Sequence, residues 1–180
     1  MEEVHKFTAK NGELITLRQA VPEDAREIIN TVSSTSLERS YVLMEKHDKN
    51  PETEAKYIRD MDRKSNLLLV AIANGAVVGS LAALQSDGGH RQQTAHILNI
   101  GLHLTKTYRG LGIGSEMLRY TVKWAVEHRF KKLEASIFTT NKRSLNLFGR
   151  AGFVEEATKR KQFRIGTDYI DEVIMAMFLE

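Results

Sequence analysis

The chain has no cysteine among its 180 residues. That absence excludes a disulfide framework, a thiolate-ligated zinc and a thiol nucleophile, and it agrees with a reducing cytoplasm as the expected location. Only two prolines occur, so no proline-rich linker divides the chain. No apolar run approaches the length of a membrane span, and the opening Met1-Glu2-Glu3-Val4-His5-Lys6 has neither the basic start nor the apolar stretch of a secretory signal. Internal repeats and low-complexity tracts are missing too, and a single domain over residues 1–180 is expected. The net charge is only +3. Lys159-Arg160-Lys161 has no RNA-binding or helix-turn-helix pattern beside it, so nucleic acid is not an expected partner. The six histidines show no paired metal-ligand spacing, and no metal is expected.

What is present is an ordinary globular composition with well-punctuated elements. His5 to Ala9 and Leu14 to Gln19 flank Asn11-Gly12 and read as a hairpin. Pro22-Glu23-Asp24 opens a helix whose apolar positions Ala25, Ile28, Ile29 and Val32 share one face. Ser33 to Asn50 reads as broken helix and loop, and Pro51 to Met61 as a second helix. Leu67 to Ala73 and Val77 to Leu84 form a hairpin around Asn74-Gly75. The spacing then predicts a strand over Ala95 to Leu104, a helix over Gly112 to His128 and a strand over Lys132 to Phe138. Strand, helix and strand make a βαβ unit, which sets the two strands parallel. A short helix over Lys142 to Arg150, capped by Asn141 and ended by Gly152, precedes a terminal hairpin around Gly166-Thr167-Asp168. Trp124 and Met117 fall at core spacing on the longer helix.

The most informative stretch is Arg109-Gly110-Leu111-Gly112-Ile113-Gly114-Ser115, between the first strand of the βαβ unit and its helix. Its glycines leave backbone N–H groups unobstructed at a helix N-terminus, where anions are favoured. A Walker A loop is absent, which argues against NTP hydrolysis. A dinucleotide fingerprint requires a third glycine where Ser115 stands, and the acid about 20 residues on, Glu134, lies at the wrong end of its strand.

Arg109 to Gly114 resembles the pyrophosphate loop of the GNAT superfamily of N-acetyltransferases, which use acetyl-coenzyme A. Asn141 to Phe148 followed by Gly152-Phe153 resembles the family's second coenzyme A motif. The opening Ile15 to Ala25 and the late strand Tyr169 to Met175 resemble, respectively, its first strand and helix and the last strand of its small-amine and ribosomal-protein-like branch. The resemblance implies an α/β fold with a central, mostly antiparallel sheet, in which one parallel pair splays apart at the acetyl-coenzyme A site. It further implies backbone contacts from Leu102, His103 and Leu104 to the pantetheine arm, with a Leu104 amide polarising the thioester carbonyl. Pyrophosphate contacts would come from Arg109, Gly110, Leu111, Gly112, Ile113, Gly114 and Ser115, and further coenzyme contacts from Asn141, Ser144 and Phe148. Lys106, Lys142 and Arg143 would supply rim charge.

The activity implied is acetyl transfer to a primary amine, either a small molecule such as an amino acid or polyamine, or a protein N-terminus. Attack would be direct, since no cysteine or nucleophile elbow is available. His96 stands where family members carry a glutamate base, and a histidine titrates in a useful range. Phe148 replaces the tyrosine that often protonates the departing thiolate and cannot donate a proton. Either solvent or the microenvironment of the thiolate would serve instead, or another tyrosine such as Tyr108 or Tyr169 would substitute. That departure motivates an alternative reading, a non-catalytic acyl-coenzyme A binding module. Glu38, Glu45, Asp171 and Glu172 are acids able to attract a cationic acceptor, and a homodimer through the terminal strands is a further implication of the resemblance.

Overall fold

The computed structural model describes residues 4–36 and 50–180. In chain order the strands are β1 (His5–Thr8), β2 (Leu14–Gln19), β3 (Leu67–Ala73), β4 (Ala76–Gln85), β5 (Ile97–Leu104), β6 (Lys132–Phe138), β7 (Val154–Ile165) and β8 (Asp168–Phe178). The helices are α1 (Ala25–Ser36), α2 (Pro51–Asp60), α3 (Ile113–Glu127) and α4 (Lys142–Arg150). All eight strands join one sheet in the order β1-β2-β3-β4-β5-β6-β8-β7, and every neighbouring pair is antiparallel except β5 and β6. The parallel β5–β6 pair is the one expected from the βαβ reading, and the mostly antiparallel sheet around it is the one the resemblance implies.

Helices cover both faces. Leu67, Leu69 and Ala71 of β3 enter the larger core with Ile113, Met117, Leu118 and Trp124 of α3, whereas Leu68 and Val70 join Ile28, Val32 and Ile58 of α1 and α2. Burial of alternate residues on opposite faces explains why Leu67 to Ala73 is apolar without interruption. Among the described residues no helix is long and apolar enough to cross a membrane.

The terminal hairpin is fastened to β6 partly by charge. Lys132 Nζ lies 2.6 Å from Glu134 and 2.7 Å from Glu156 of β7. Burial pulls its pKa down, the largest single influence, but hydrogen bonds to the two carboxylates outweigh it and leave the ammonium above its ordinary value.

The strand expected from Ala95 begins at Ile97. Gln92–Thr94 forms a turn of 3-10 helix, and Ala95 N–H closes it on the Gln92 carbonyl. Of the ambiguous segment Ser33 to Asn50, α1 takes residues up to Ser36, and residues 37–49, including Glu38 and Glu45, lie outside the described residues.

Candidate active site

The parallel pair is short. Registered pairs run Ile97 with Lys132, Leu98 with Leu133 and Asn99 with Glu134, and there the pairing stops. Beyond it β5 continues against β4 as far as Leu104, and β6 continues against β8 as far as Phe138, so the two strands diverge. A cleft of about 720 Å³ opens between them, walled by Ile100 to Leu104 on one side and Ala135 to Phe138 on the other.

Strand geometry says which backbone groups face this opening. The His96 carbonyl accepts from Lys131 and Lys132 on the β6 side, while Thr105 N–H donates to Val78 on the β4 side. Main-chain polarity alternates along a strand, so the Ile100 N–H closes the last parallel pair on Glu134, while the Ile100 carbonyl and the main-chain groups of Leu102 and Leu104 point into the split. The Leu104 carbonyl accepts from Arg109 Nε at 2.9 Å, which draws that guanidinium back against the strand end. The Ile100 carbonyl and the N–H and carbonyl of Leu102 present an open strand edge to the cleft.

One end of the cleft is the glycine loop. Gly110 and Gly112 have φ of 80° and 90°, a left-handed backbone in which a side chain is strained, and Gly112 is the N-cap of α3. The first-turn amides of Ile113, Gly114 and Ser115 therefore have no acceptor within the helix, and the helix dipole adds its positive end there. Gly114 is glycine for a different reason. A Cβ at that position would lie 3.1 Å from Leu147 Cδ2 of α4, tighter than an ordinary contact, so the leucine would have to shift by a few tenths of an ångström. Lys10, Arg143 and Arg150 also line the cleft and give it a cationic wall. Asn141 is buried, and its Oδ1 accepts from Ser144 N–H at 3.1 Å, the expected cap of α4.

The structure gathers most of the expected residues around one cavity: Leu102, His103 and Leu104 on β5, Arg109, Gly110, Gly112, Gly114 and Ser115 on the loop, and Asn141, Ser144 and Phe148 on α4. Phe148 is buried and packs edge-on against Phe153, with ring centroids 5.0 Å apart. Leu111 and Ile113 do not line it. Ile113 is fully buried in the core, and Leu111 packs partly against that core while its carbonyl accepts from Lys10 N–H at 3.1 Å.

His96 is not brought to the cleft. It is exposed in the turn ahead of β5, at the closed end of the parallel pair, and its carbonyl is held by Lys131 and Lys132. The six residues from there to Leu102 span roughly 20 Å of strand. Lys106, Lys142, Tyr108 and Tyr169 are likewise outside the lining, which among the described residues contains no tyrosine. Asp171 is engaged elsewhere, with Oδ1 accepting Lys161 N–H at 2.6 Å, whereas Glu172 does line the cleft. Sequence reasoning missed Lys10, Ser136, Phe138, Arg150 and Phe163 as lining residues. No motif marks them, because strand register and helix packing bring them there.

The family model of the acetyltransferase (GNAT) domain matches residues 15–154. An L-amino acid N-acetyltransferase of Escherichia coli is 26% identical over 116 residues, which cover 64% of this chain and 70% of that protein. The crystal structure of an acetyltransferase of the GNAT family from Streptococcus pneumoniae superposes with a TM-score of 0.85 at 22% identity, covering 92% of this chain and 99% of the other. A GNAT superfamily phosphinothricin acetyltransferase from Sinorhizobium meliloti, solved in complex with AcCoA, gives a TM-score of 0.83 at 22% identity over 96% of this chain and 89% of the other. With a glycine loop, a split sheet and a capped α4 converging on one cleft, and with the family model spanning most of its length, the chain belongs to the GNAT family of acetyltransferases.

Proposed function

We propose that the protein transfers the acetyl group of acetyl-coenzyme A to a primary amine by direct attack. The observation that carries this reading is the divergence of β5 and β6 after Asn99 and Glu134, which exposes a strand edge directly above an anion-binding helix start. An arm containing two amides can pair with the Ile100 carbonyl and the N–H and C=O groups of Leu102 as an added strand would. The first-turn amides of α3, with Lys10 and Arg143, suit the pyrophosphate to which such an arm is joined. Acetyl-coenzyme A bound in this way supplies an activated thioester. The Leu104 N–H, pointing into the split, is placed to polarise the thioester carbonyl.

An ammonium has no lone pair, so the acceptor must lose a proton before it attacks. His103 is the histidine among the described cleft residues and takes the role first expected of His96. With no tyrosine lining the cleft among those residues, the departing thiolate draws its proton from water. The acceptor is either a small molecule or a protein N-terminus, and the Escherichia coli relative, named for L-amino acids, supports the first.

Phe148 favours the second reading, a binding module without turnover. Thiol release from acetyl-coenzyme A across a panel of amines and peptide N-termini, run beside calorimetric titration with coenzyme A, separates the two. Amine-dependent release is expected. Tight binding with no release on any amine supports the binding module, and no binding at all removes both readings.

A further inference from the structure

Glu172 reaches the cleft from the side that the cofactor does not need. Leu133, Ala135 and Ile137 of β6 lie in the core beneath α3, so Ser136 and Phe138 project from the opposite face, where α1 and α2 pack. Glu172 is registered against Phe138 on one side and Lys159 on the other, which puts all three on that face. Phe163 joins them, its ring 4.9 Å from that of Phe138. On the other lip of the split, Leu98, Ile100 and Leu104 belong to the α3 core, so His103 also projects toward the face of Glu172. The opening therefore passes through the sheet. Phosphate-binding groups lie on the α3 and α4 side, while a histidine, an aromatic pair and a carboxylate lie on the α1 and α2 side.

Among the described residues Glu172 is the only acid in the lining, against the cations Lys10, Arg109, Arg143 and Arg150. Its side chain is 8% exposed and its Oε2 lies 3.0 Å from Lys159 Nζ, whereas the Lys159 side chain is 51% exposed. A carboxylate this buried requires a cation. Lys159 provides one on a flexible stem that reaches in from solvent, at a point where β7 bulges between Lys159 and Phe163. Any ligand ammonium that enters the cleft can take its place without leaving the carboxylate bare.

We infer that Glu172 receives the ammonium of the acceptor, with Lys159 as the resident cation it displaces. The acceptor is then a primary ammonium on an apolar or aromatic body, seated against Phe138 and Phe163, where ring faces also favour a cation. This rests on the acetyl-transfer reading and names the acceptor class for the same cleft.

The test is calorimetric titration of the coenzyme A-saturated protein with phenethylammonium and with its uncharged isostere 2-phenylethanol. Glu172→Gln is expected to weaken phenethylammonium binding by about tenfold or more, leaving 2-phenylethanol and coenzyme A unchanged. Lys159→Met, which removes the competitor, is expected to strengthen phenethylammonium binding several-fold. Equal binding by wild type and Glu172→Gln overturns the inference, as does a wild type that binds no phenethylammonium. A Lys159→Met variant weakened as much as Glu172→Gln also overturns it, because the pair then only holds the terminal hairpin. Failure of the wild type to bind coenzyme A sinks the cofactor reading instead and is read separately in the same titration.

Discussion

Two histidines seven positions apart illustrate how little of a residue's role lies in its type. His96 and His103 carry the same imidazole, yet one is exposed at the closed end of the β5–β6 pair and the other lines the cleft. Replacing His103 with Gln is expected to lower kcat/KM by about a hundredfold and to flatten the fall in rate toward acid pH. His96→Ala is expected to change neither, and pH–rate profiles of both variants check the pair. Ser115 permits a cleaner test of the anion site. It is exposed, lines the cleft and sits in the first turn of α3. An acid there favours the helix dipole by about 0.3–1 kcal/mol while repelling a diphosphate. Ser115→Glu should therefore raise or keep the melting temperature while weakening coenzyme A binding by about tenfold, a combination that a misfolded variant cannot show.

The short parallel register is the element on which the site depends. Leu98 pairs on both sides, whereas Leu102 and Leu104 offer their amides to the cleft. In the free protein these two amides are expected to exchange with deuterium much faster than that of Leu98, and acetyl-coenzyme A should bring them to comparable protection. Exchange unchanged by the cosubstrate would show that it does not lie along the strand.

Most elements could be read from the chain because their signals are local. β3, β6 and α4 have the expected limits, set by apolar runs between turn residues and by the Asn141 cap. The glycine loop was legible because its conformation demands glycine, at Gly110 and Gly112. The start of β5 was not legible, since a polar turn at Gln92–Thr94 and the first parallel pair decide it. Nor was the Phe138, Glu172 and Lys159 row, which exists only because three strands from distant parts of the chain align in one register.

At the scale of the whole molecule, the outer hairpin β7–β8 depends on charge as well as pairing. Lys132 links β6 to Glu156 of β7, and its ammonium also lies 5.6 Å from the Phe178 ring centroid. Because the folded pKa is raised above the unfolded one, the stabilisation from this group is complete below the ordinary lysine value and declines as pH climbs through the folded value. Melting temperatures followed from about pH 9 upward should fall more steeply for the wild type than for Lys132→Met. Parallel curves would assign alkaline unfolding to other groups.

The hydrogen bond from Lys10 N–H to the Leu111 carbonyl joins the turn of the first hairpin to the glycine loop. The hairpin and the βαβ unit can each begin to form from nearby residues, but this bond spans more than half the chain. Its closure carries an entropic cost that neither unit meets alone. The loop is therefore expected to reach its final shape late in folding, after the sheet has assembled between the two. On a ribosome, the ability to retain the cosubstrate would mark the end of maturation, because the earliest hairpin and a much later loop must meet before the cradle is whole.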